Sequence, residues 1–155
     1  IRFPQILASS VRELNEAFGK AIREFEYDGD YRGVFPIKVN QKKVVVHEII
    51  EASRKYGYGL EAGSKPELLI ALSAMEDSDG LIICNGYKDI KFIETALIAR
   101  QFDKDIIIVL ERIEELDRVL TRFIDPAGRS FAGEDLVARF GFPTEDLTDI
   151  DCDWL

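Results

Sequence analysis

Apolar positions recur along this chain in two alternating patterns. In the first they return at helical spacing, as they do after Ser10, where the sequence predicts a helix over residues 11–25 with Ser10 and Glu13 as its capping box. In the second they form short runs that are apolar at nearly every position, such as the run at residues 34–39. Because these runs do not alternate with polar residues, they predict strands covered on both faces, as in parallel sheets.

The two patterns combine into four successive units of a strand followed by a helix. Ser64 and Glu67 form a capping box at the start of the second of these helices. Four such units in a row predict an α/β fold with a parallel sheet. The predicted strands are residues 34–39, 58–63, 81–86 and 105–111, and the first crossover helix is residues 44–55.

Polar side chains stand at or just beyond the carboxyl end of each predicted strand, namely Lys38, Glu61, Asn85 and Glu111. Because four strands contribute to one rim, the pattern favours the mouth of a TIM-type β/α barrel over the single crevice of a doubly wound sheet. A complete barrel typically takes about 250 residues. We therefore expect about half a barrel, with residues 1–124 as four strand and helix units and residues 125–155 as an irregular acidic tail.

The lysine in the first apolar run has the most distinctive chemistry. An unpartnered lysine in an apolar strand costs free energy or has a lowered pKa, so its presence there indicates a role. A desolvated lysine amine is a good imine former, and Lys38 is therefore a candidate catalytic lysine. The alternative interpretation is a solvated residue at the end of a strand, which is the common situation for lysine.

Composition narrows the classes of function. The 155 residues carry a formal net charge of −9, which argues against a nucleic-acid surface and offers no polybasic stretch for anionic lipid. We find neither the long apolar run of a membrane span nor the pattern of a signal peptide, and Cys84 and Cys152 lie in unlike contexts. Two free thiols in the reducing cytoplasm are expected.

Four motifs in order resemble the N-terminal part of the barrel of the biosynthetic arginine decarboxylase family. This family belongs to the pyridoxal-phosphate-dependent decarboxylases that share the alanine-racemase barrel. The similarity covers residues 1–119. It is carried by Phe3-Pro4-Gln5-Ile6-Leu7, Tyr31-Arg32-Gly33-Val34-Phe35-Pro36-Ile37-Lys38-Val39-Asn40-Gln41, Gly59-Leu60-Glu61-Ala62-Gly63-Ser64-Lys65-Pro66-Glu67-Leu68 and Ile83-Cys84-Asn85-Gly86-Tyr87-Lys88-Asp89.

The resemblance implies specific roles. Lys38 falls on the family lysine that holds pyridoxal phosphate covalently, and Glu61 and Glu67 fall on acidic positions that support the cofactor pocket. The implied reaction of the whole enzyme is decarboxylation of L-arginine to agmatine, in polyamine and spermidine biosynthesis. A homo-oligomer or a completing chain is also implied. Magnesium is implied at the level of the family alone, and no residue is assigned to a metal.

Other family elements do not match this sequence. The one histidine, His47, lies in a crossover helix and not at a strand end, and no glycine cluster that could cradle a phosphate follows Gly86. A truncated, non-catalytic fragment or a scaffold or binding remnant of the same fold therefore stays open as an alternative. So does a pyridoxal-phosphate-binding protein of cofactor homeostasis, and the residues alone do not separate arginine from ornithine, lysine or diaminopimelate.

Overall fold

Helices and strands alternate through the computed structural model, which describes residues 3–78 and 80–112 together with residues 115, 116 and 119. The chain divides into two units, Ile1–Glu111 and Arg112–Leu155, and the architecture below is that of the first. Most of the predicted fourth crossover helix and the whole acidic tail lie outside the described residues. The domain division at residue 124 stays a prediction.

Each predicted strand and helix of the first three units is present in the structure. The strands are short and the helices span about three turns or more, as in other β/α units. In chain order the elements are α1 (Pro4–Glu24), β1 (Val34–Pro36), a 3-10 turn (Ile37–Val39), α2 (Lys43–Ser53), a 3-10 turn (Arg54–Tyr56), β2 (Gly59–Ala62), α3 (Lys65–Ala74), β3 (Ile82–Cys84), α4 (Ile90–Gln101) and β4 (Ile106–Ile108).

The four strands form one parallel sheet in the order β1-β2-β3-β4. Helix α2 contacts α3, and α3 contacts α4, so the crossover helices form one continuous layer. Strands in chain order with neighbouring helices in a single layer are the arrangement of a β/α barrel, whereas a doubly wound sheet reverses its strand order and covers both faces. The predicted fold class, parallel units of a TIM-type barrel, is confirmed.

The two faces of the sheet differ in burial. The face toward the helices is apolar and buried, while Glu61, Ile83 and Ile107 on the opposite face are partly exposed. The prediction that β1 is covered on both faces is therefore wrong for the described part of the chain, because helices pack on one side only. The buried residues on the helix face are Leu60, Ala62, Ile82, Cys84, Ile106 and Ile108.

The first helix begins earlier than the sequence predicts. It starts at Pro4, whose ring favours the first helical position, so Ser10 and Glu13 lie inside the helix. The predicted capping box is wrong, and the Ser9 hydroxyl donates to the Glu13 carboxylate at 2.7 Å across one turn instead. A Ser-x-x-Glu spacing occurs inside helices as well as at their ends, and here the proline is the stronger start signal.

The first strand ends earlier than predicted. Pairing stops at Pro36, and residues 37–39 turn into a 3-10 helix closed by a hydrogen bond from the Asn40 amide to the Ile37 carbonyl at 3.1 Å. Ile37 stays fully buried in the core. The turn therefore anchors the backbone through one apolar side chain and directs the next residue, Lys38, outward.

The thiol of Cys84 generates a prediction about stability and pH. Burial raises its pKa to about 12, against an ordinary value of 9.0, with Lys88 as a smaller opposing influence. The folded thiol stays protonated where the unfolded thiol ionises, so its contribution is full below pH 9 and is lost as pH rises toward 12. We expect a loss of about 1.4 kcal/mol per pH unit in that window.

Urea unfolding of the chain and of Cys84→Ala between pH 8 and 10.5 measures this effect. The alanine variant is less stable at pH 8, and the gap between the two proteins should narrow as pH rises because only one of them carries the thiol. A gap that stays constant across this range would contradict a buried, protonated Cys84.

Candidate functional site

Lys38 lies at the carboxyl end of β1 and is open to solvent. Its side chain is 61% exposed, so the predicted desolvation of this lysine is wrong. The reason is the early end of the strand, because Lys38 belongs to the 3-10 turn and not to the buried run. The unusual sequence context of Lys38 therefore reflects where it is placed rather than how deeply it is buried.

Lys38 pairs with Glu61 on the neighbouring strand. Its Nζ lies 3.1 Å from Oε1 of Glu61, whose side chain is only 14% exposed. Glu61 is in register with Pro36, two residues before Lys38, and it points to the half-open face of the sheet. Ion pairs with an exposed partner add at most about 1 kcal/mol of stability. The pair therefore matters mainly because it holds an amine and a carboxylate together at the end of two strands.

Glu67 organises the loop that follows β2. Its Oε2 accepts a hydrogen bond from the Gly63 amide at 2.8 Å, and its own amide donates to the Ser64 hydroxyl at 3.5 Å. The predicted cap at the start of α3 is confirmed, with the side chain of Glu67 reaching one residue further back than in the usual capping box. A carboxylate in the first turn also complements the helix dipole.

The loops after β2 and β3 touch each other at two glycines. The Asn85 amide donates to the Ala62 carbonyl at 3.0 Å, and Gly86 then adopts a φ of +95°. A Cβ added to Gly86 would lie 3.0 Å from the Gly63 carbonyl oxygen. Only glycine combines this backbone conformation with such a close approach.

An ion pair bridges the starts of α3 and α4. Lys65 Nζ lies 2.6 Å from Oδ2 of Asp89, and Oδ1 of Asp89 caps α4 by accepting from the Phe92 amide at 2.8 Å. The hydrogen bond from Lys65 lowers the pKa of Asp89, and the bond from Phe92 acts in the same direction. Sequence reasoning missed this cap, although an aspartate directly before an apolar helical pattern is the usual signal.

Lys88 is a second feature of the loops near the strand ends that sequence reasoning missed. Its side chain has no exposed surface, and its ammonium donates to the carbonyl of Gly86 in the same loop. The sequence offers little to mark it, because Lys88 stands in a polar loop next to Tyr87 and Asp89. Periodicity does not apply to loops, so burial there is not predictable from pattern.

The remaining sequence candidates lie elsewhere or hold no site. His47 is exposed on α2, as expected, and lines a groove with Glu51 and Ser73 on the helical layer. Over residues 3–78 and 80–112 no three side chains of His, Cys, Asp or Glu are grouped to hold a metal ion, so magnesium has no assigned site there. In the same part of the chain, no helix has the length and apolar character needed to cross a bilayer.

Lys38 and Glu61, at the carboxyl ends of β1 and β2, fit the aldehyde end of pyridoxal phosphate. The Lys38 amine is reachable from solvent, and the Glu61 carboxylate 3.1 Å from Nζ is a proton acceptor for reaction of that amine with an aldehyde. The loop glycines do not suit the phosphate, because the Gly63 amide donates to Glu67 and the Gly86 amide donates to the Asn85 side chain at 2.9 Å. The described residues therefore offer an amine for covalent attachment of the cofactor. The amides of Gly63 and Gly86 are already hydrogen-bonded and do not serve as a phosphate site.

Comparison with known proteins identifies the family. The protein-family model described as pyridoxal-dependent decarboxylase, pyridoxal binding domain, matches residues 11–132 of this chain. The chain is similar to the biosynthetic arginine decarboxylase of Gloeobacter violaceus, with 54% identity over 116 residues, and to that of Deinococcus radiodurans, with 51% identity over 120 residues. These matches cover 75% and 77% of this chain, and 18% of each relative.

A solved structure agrees with both matches. The crystal structure of the biosynthetic arginine decarboxylase SpeA from Campylobacter jejuni superposes with a TM-score of 0.74 at 35% identity. The superposition covers 77% of this chain and 20% of that one. The chain thus spans about a fifth of the length of the proteins it matches. It belongs to the family of pyridoxal-dependent decarboxylases, within their pyridoxal binding domain.

Proposed function

We propose that this chain forms the N-terminal part of the catalytic barrel of a pyridoxal-phosphate-dependent decarboxylase that converts L-arginine to agmatine. The observation that carries the proposal is the pairing of Lys38 with Glu61 at the carboxyl ends of β1 and β2. The matched relatives are named biosynthetic arginine decarboxylases, which supports arginine as the substrate. A net charge of −9 also favours approach of a cationic substrate.

Three residues have distinct roles in this proposal. Lys38 would hold pyridoxal phosphate covalently through its Nζ. Glu61 holds that nitrogen in place and accepts its proton, since its carboxylate oxygen lies within hydrogen-bond reach. Glu67 supports the pocket indirectly, because its carboxylate fixes the loop two residues beyond Glu61. When bound, pyridoxal phosphate supplies the electron sink that lets a carboxylate leave as carbon dioxide.

The open side of the sheet supports a partner or further chain as part of the active protein. Among the described strands, β1 and β4 each pair on one side only, and the face that carries Glu61 is half exposed. Unpaired strand edges and open apolar faces are normally covered in stable proteins. We propose that a homo-oligomer or a completing polypeptide covers them, in the cytoplasm, where a buried free thiol such as Cys84 stays reduced.

Covalent trapping tests the role of Lys38. The chain is incubated with pyridoxal phosphate, reduced with borohydride and mapped by peptide mass spectrometry. We expect the adduct on the peptide that contains Lys38, and its loss in Lys38→Arg. Arginine keeps the positive charge beside Glu61 but has no amine that forms an imine, so the variant removes the chemistry and retains the ion pair.

Lys65→Arg is the matched control for this experiment. Lys65 is also a rim lysine paired with a carboxylate, yet it lies at the start of α3 and not at the end of a strand. The control should be trapped as fully as the unmodified chain. An adduct spread over several lysines, with equal yield in Lys38→Arg, would refute a specific attachment at Lys38.

The role of Glu61 predicts a pH-dependent rate. Glu61→Gln keeps the size of the side chain but removes the proton acceptor next to Lys38, so adduct formation near pH 7 should slow by roughly 100-fold, the lower end of the usual contribution of such a group. The difference should shrink as the pH rises, because hydroxide in solution can then take the proton that the nitrogen gives up during the reaction.

The rate is followed by the absorbance of the lysine-bound cofactor at several pH values. Glu51→Gln is the control, because it removes a carboxylate from another ion pair, with Arg54 on the outer side of α2. That variant should react at the unmodified rate. A slowing in Glu61→Gln that is the same at every pH would instead indicate displacement of Lys38, and would exclude a proton-accepting role.

Release of carbon dioxide from carboxyl-labelled amino acids tests the substrate and the completeness of the chain. We expect turnover of arginine above that of ornithine, lysine or diaminopimelate when the chain is supplied with completing polypeptide. We expect none above free pyridoxal phosphate from the 155 residues alone, since they span about a fifth of the matched enzymes. Trapping at Lys38 with no turnover in any combination would favour a binding remnant over an enzyme.

A further inference from the structure

The ammonium of Lys88 is buried in the loop that follows β3, outside the pair formed by Lys38 and Glu61. Its side chain is wholly inaccessible to solvent, although its neighbours in the loop are exposed Tyr87 and half-buried Asp89. Removing an ammonium group from water costs several kcal/mol unless hydrogen bonds compensate. A lysine held this way in a loop therefore indicates a requirement for a particular loop geometry.

One acceptor of this ammonium lies in the same loop. Lys88 donates to the carbonyl oxygen of Gly86, the residue with a φ of +95°. Glycine has the most conformational freedom of any residue, so the peptide after Gly86 would otherwise rotate readily. The hydrogen bond from Lys88 fixes the carbonyl of Gly86. On the other side of the same glycine, the Gly86 amide donates to the Asn85 side chain.

Gly86 in turn packs on the loop that supports the rim carboxylates. It lies against Gly63, whose amide is held by Glu67, and the Asn85 amide donates to Ala62 at the end of β2. Each of the two facing glycines is thus fixed by a charged side chain, Lys88 on one and Glu67 on the other. Helix α3, which begins with this loop, also contacts the turn that carries Lys38.

We propose that Lys88 is a positioning residue that locks the β3–α4 loop (residues 85–89) onto the β2–α3 loop (residues 63–64). The lock fixes Gly63 and Glu67 beside the strand ends and so maintains the surroundings of Lys38. The effect on Lys38 rests on the function proposed above, whereas the contact between the loops does not. The chemistry required is that of a buried hydrogen-bond donor, with no contact to substrate.

Hydrogen exchange tests the loop contact without any cofactor. In Lys88→Met, which keeps the volume and removes the ammonium, the amides of Gly63 and Asn85 should exchange at least about tenfold faster, because loss of a bond to a charged donor shifts local opening by that much. Leu60 and Ile82 donate to Leu81 and Asp105 at the other end of the strands, at 2.9 and 2.8 Å, and should keep their rates.

Lys91→Met is the matched control, because it removes a lysine three residues away whose side chain is 76% exposed. It should leave the exchange of both loops unchanged. Equal acceleration at Gly63, Asn85, Leu60 and Ile82 in Lys88→Met would overturn the proposal, since Lys88 would then stabilise the whole fold and not these loops. No acceleration at any of them would overturn it as well.

If Lys88→Met does not fold, a measurement on the unmodified chain tests whether the Lys88 ammonium holds Gly86. The Lys88 ammonium protons should exchange slowly enough to give a resolved nitrogen-15 signal with a contact to Gly86. Fast exchange, as for exposed lysines, would overturn the proposal.

Trapping by borohydride in the presence of pyridoxal phosphate tests the effect on Lys38. The yield at Lys38 should fall several-fold in Lys88→Met and stay unchanged in Lys91→Met. Faster exchange of the loop amides together with full trapping at Lys38 would overturn only the proposed effect on Lys38, and not the contact between the loops. No trapping in the unmodified chain would remove the proposed function, and the exchange data would still decide whether Lys88 locks the loops.

Discussion

The parallel register of the four strands is the constraint on which the candidate site depends. Pro36 pairs with Glu61, Glu61 with Ile83, and Ile83 with Ile107, so one row of side chains crosses the sheet on its half-open face. Successive side chains of a strand point to opposite faces, so a slip of one residue would turn Glu61 toward the helices. Its carboxylate would then be buried among apolar side chains, at a cost of several kcal/mol. The ion pair with Lys38 exists only in the observed register.

The same alternation separates stability from chemistry within each strand. Residues on the helix face are apolar and nearly inaccessible, and their burial supplies the main driving force for folding. The half-open face tolerates a carboxylate, because Glu61 there meets both solvent and an ammonium group. A three-residue strand such as β3 needs only Ile82 and Cys84 for packing. Its middle position is thereby released from the core.

The alternating fold was predictable from sequence because burial imposes periodicity on strands and helices, and the runs around Ile82 and Ile106 show it plainly. The ends of elements were less predictable. Pro4 rather than Ser10 starts the first helix, and Pro36 ends the first strand early. The pairing of Lys38 with Glu61 was predictable from their position at strand ends, although the predicted desolvation of Lys38 was wrong. Lys88 was missed, because it stands in a polar loop, where no periodic pattern records burial.

Lys38 and Lys88 together show how burial divides the work between two lysines. A lysine that reacts with an aldehyde must be reached by it and must give up protons, and the Glu61 carboxylate, which lies within hydrogen-bond reach of Nζ, is an acceptor for them. A lysine that fixes a flexible glycine works best where water does not compete for its hydrogen bonds. The exposed Lys38 meets the first requirement and the inaccessible Lys88 meets the second. In the described part of the chain, an aldehyde can therefore reach the amine of Lys38, which has a carboxylate beside it, whereas the ammonium of Lys88 is shielded from water and donates to a backbone carbonyl.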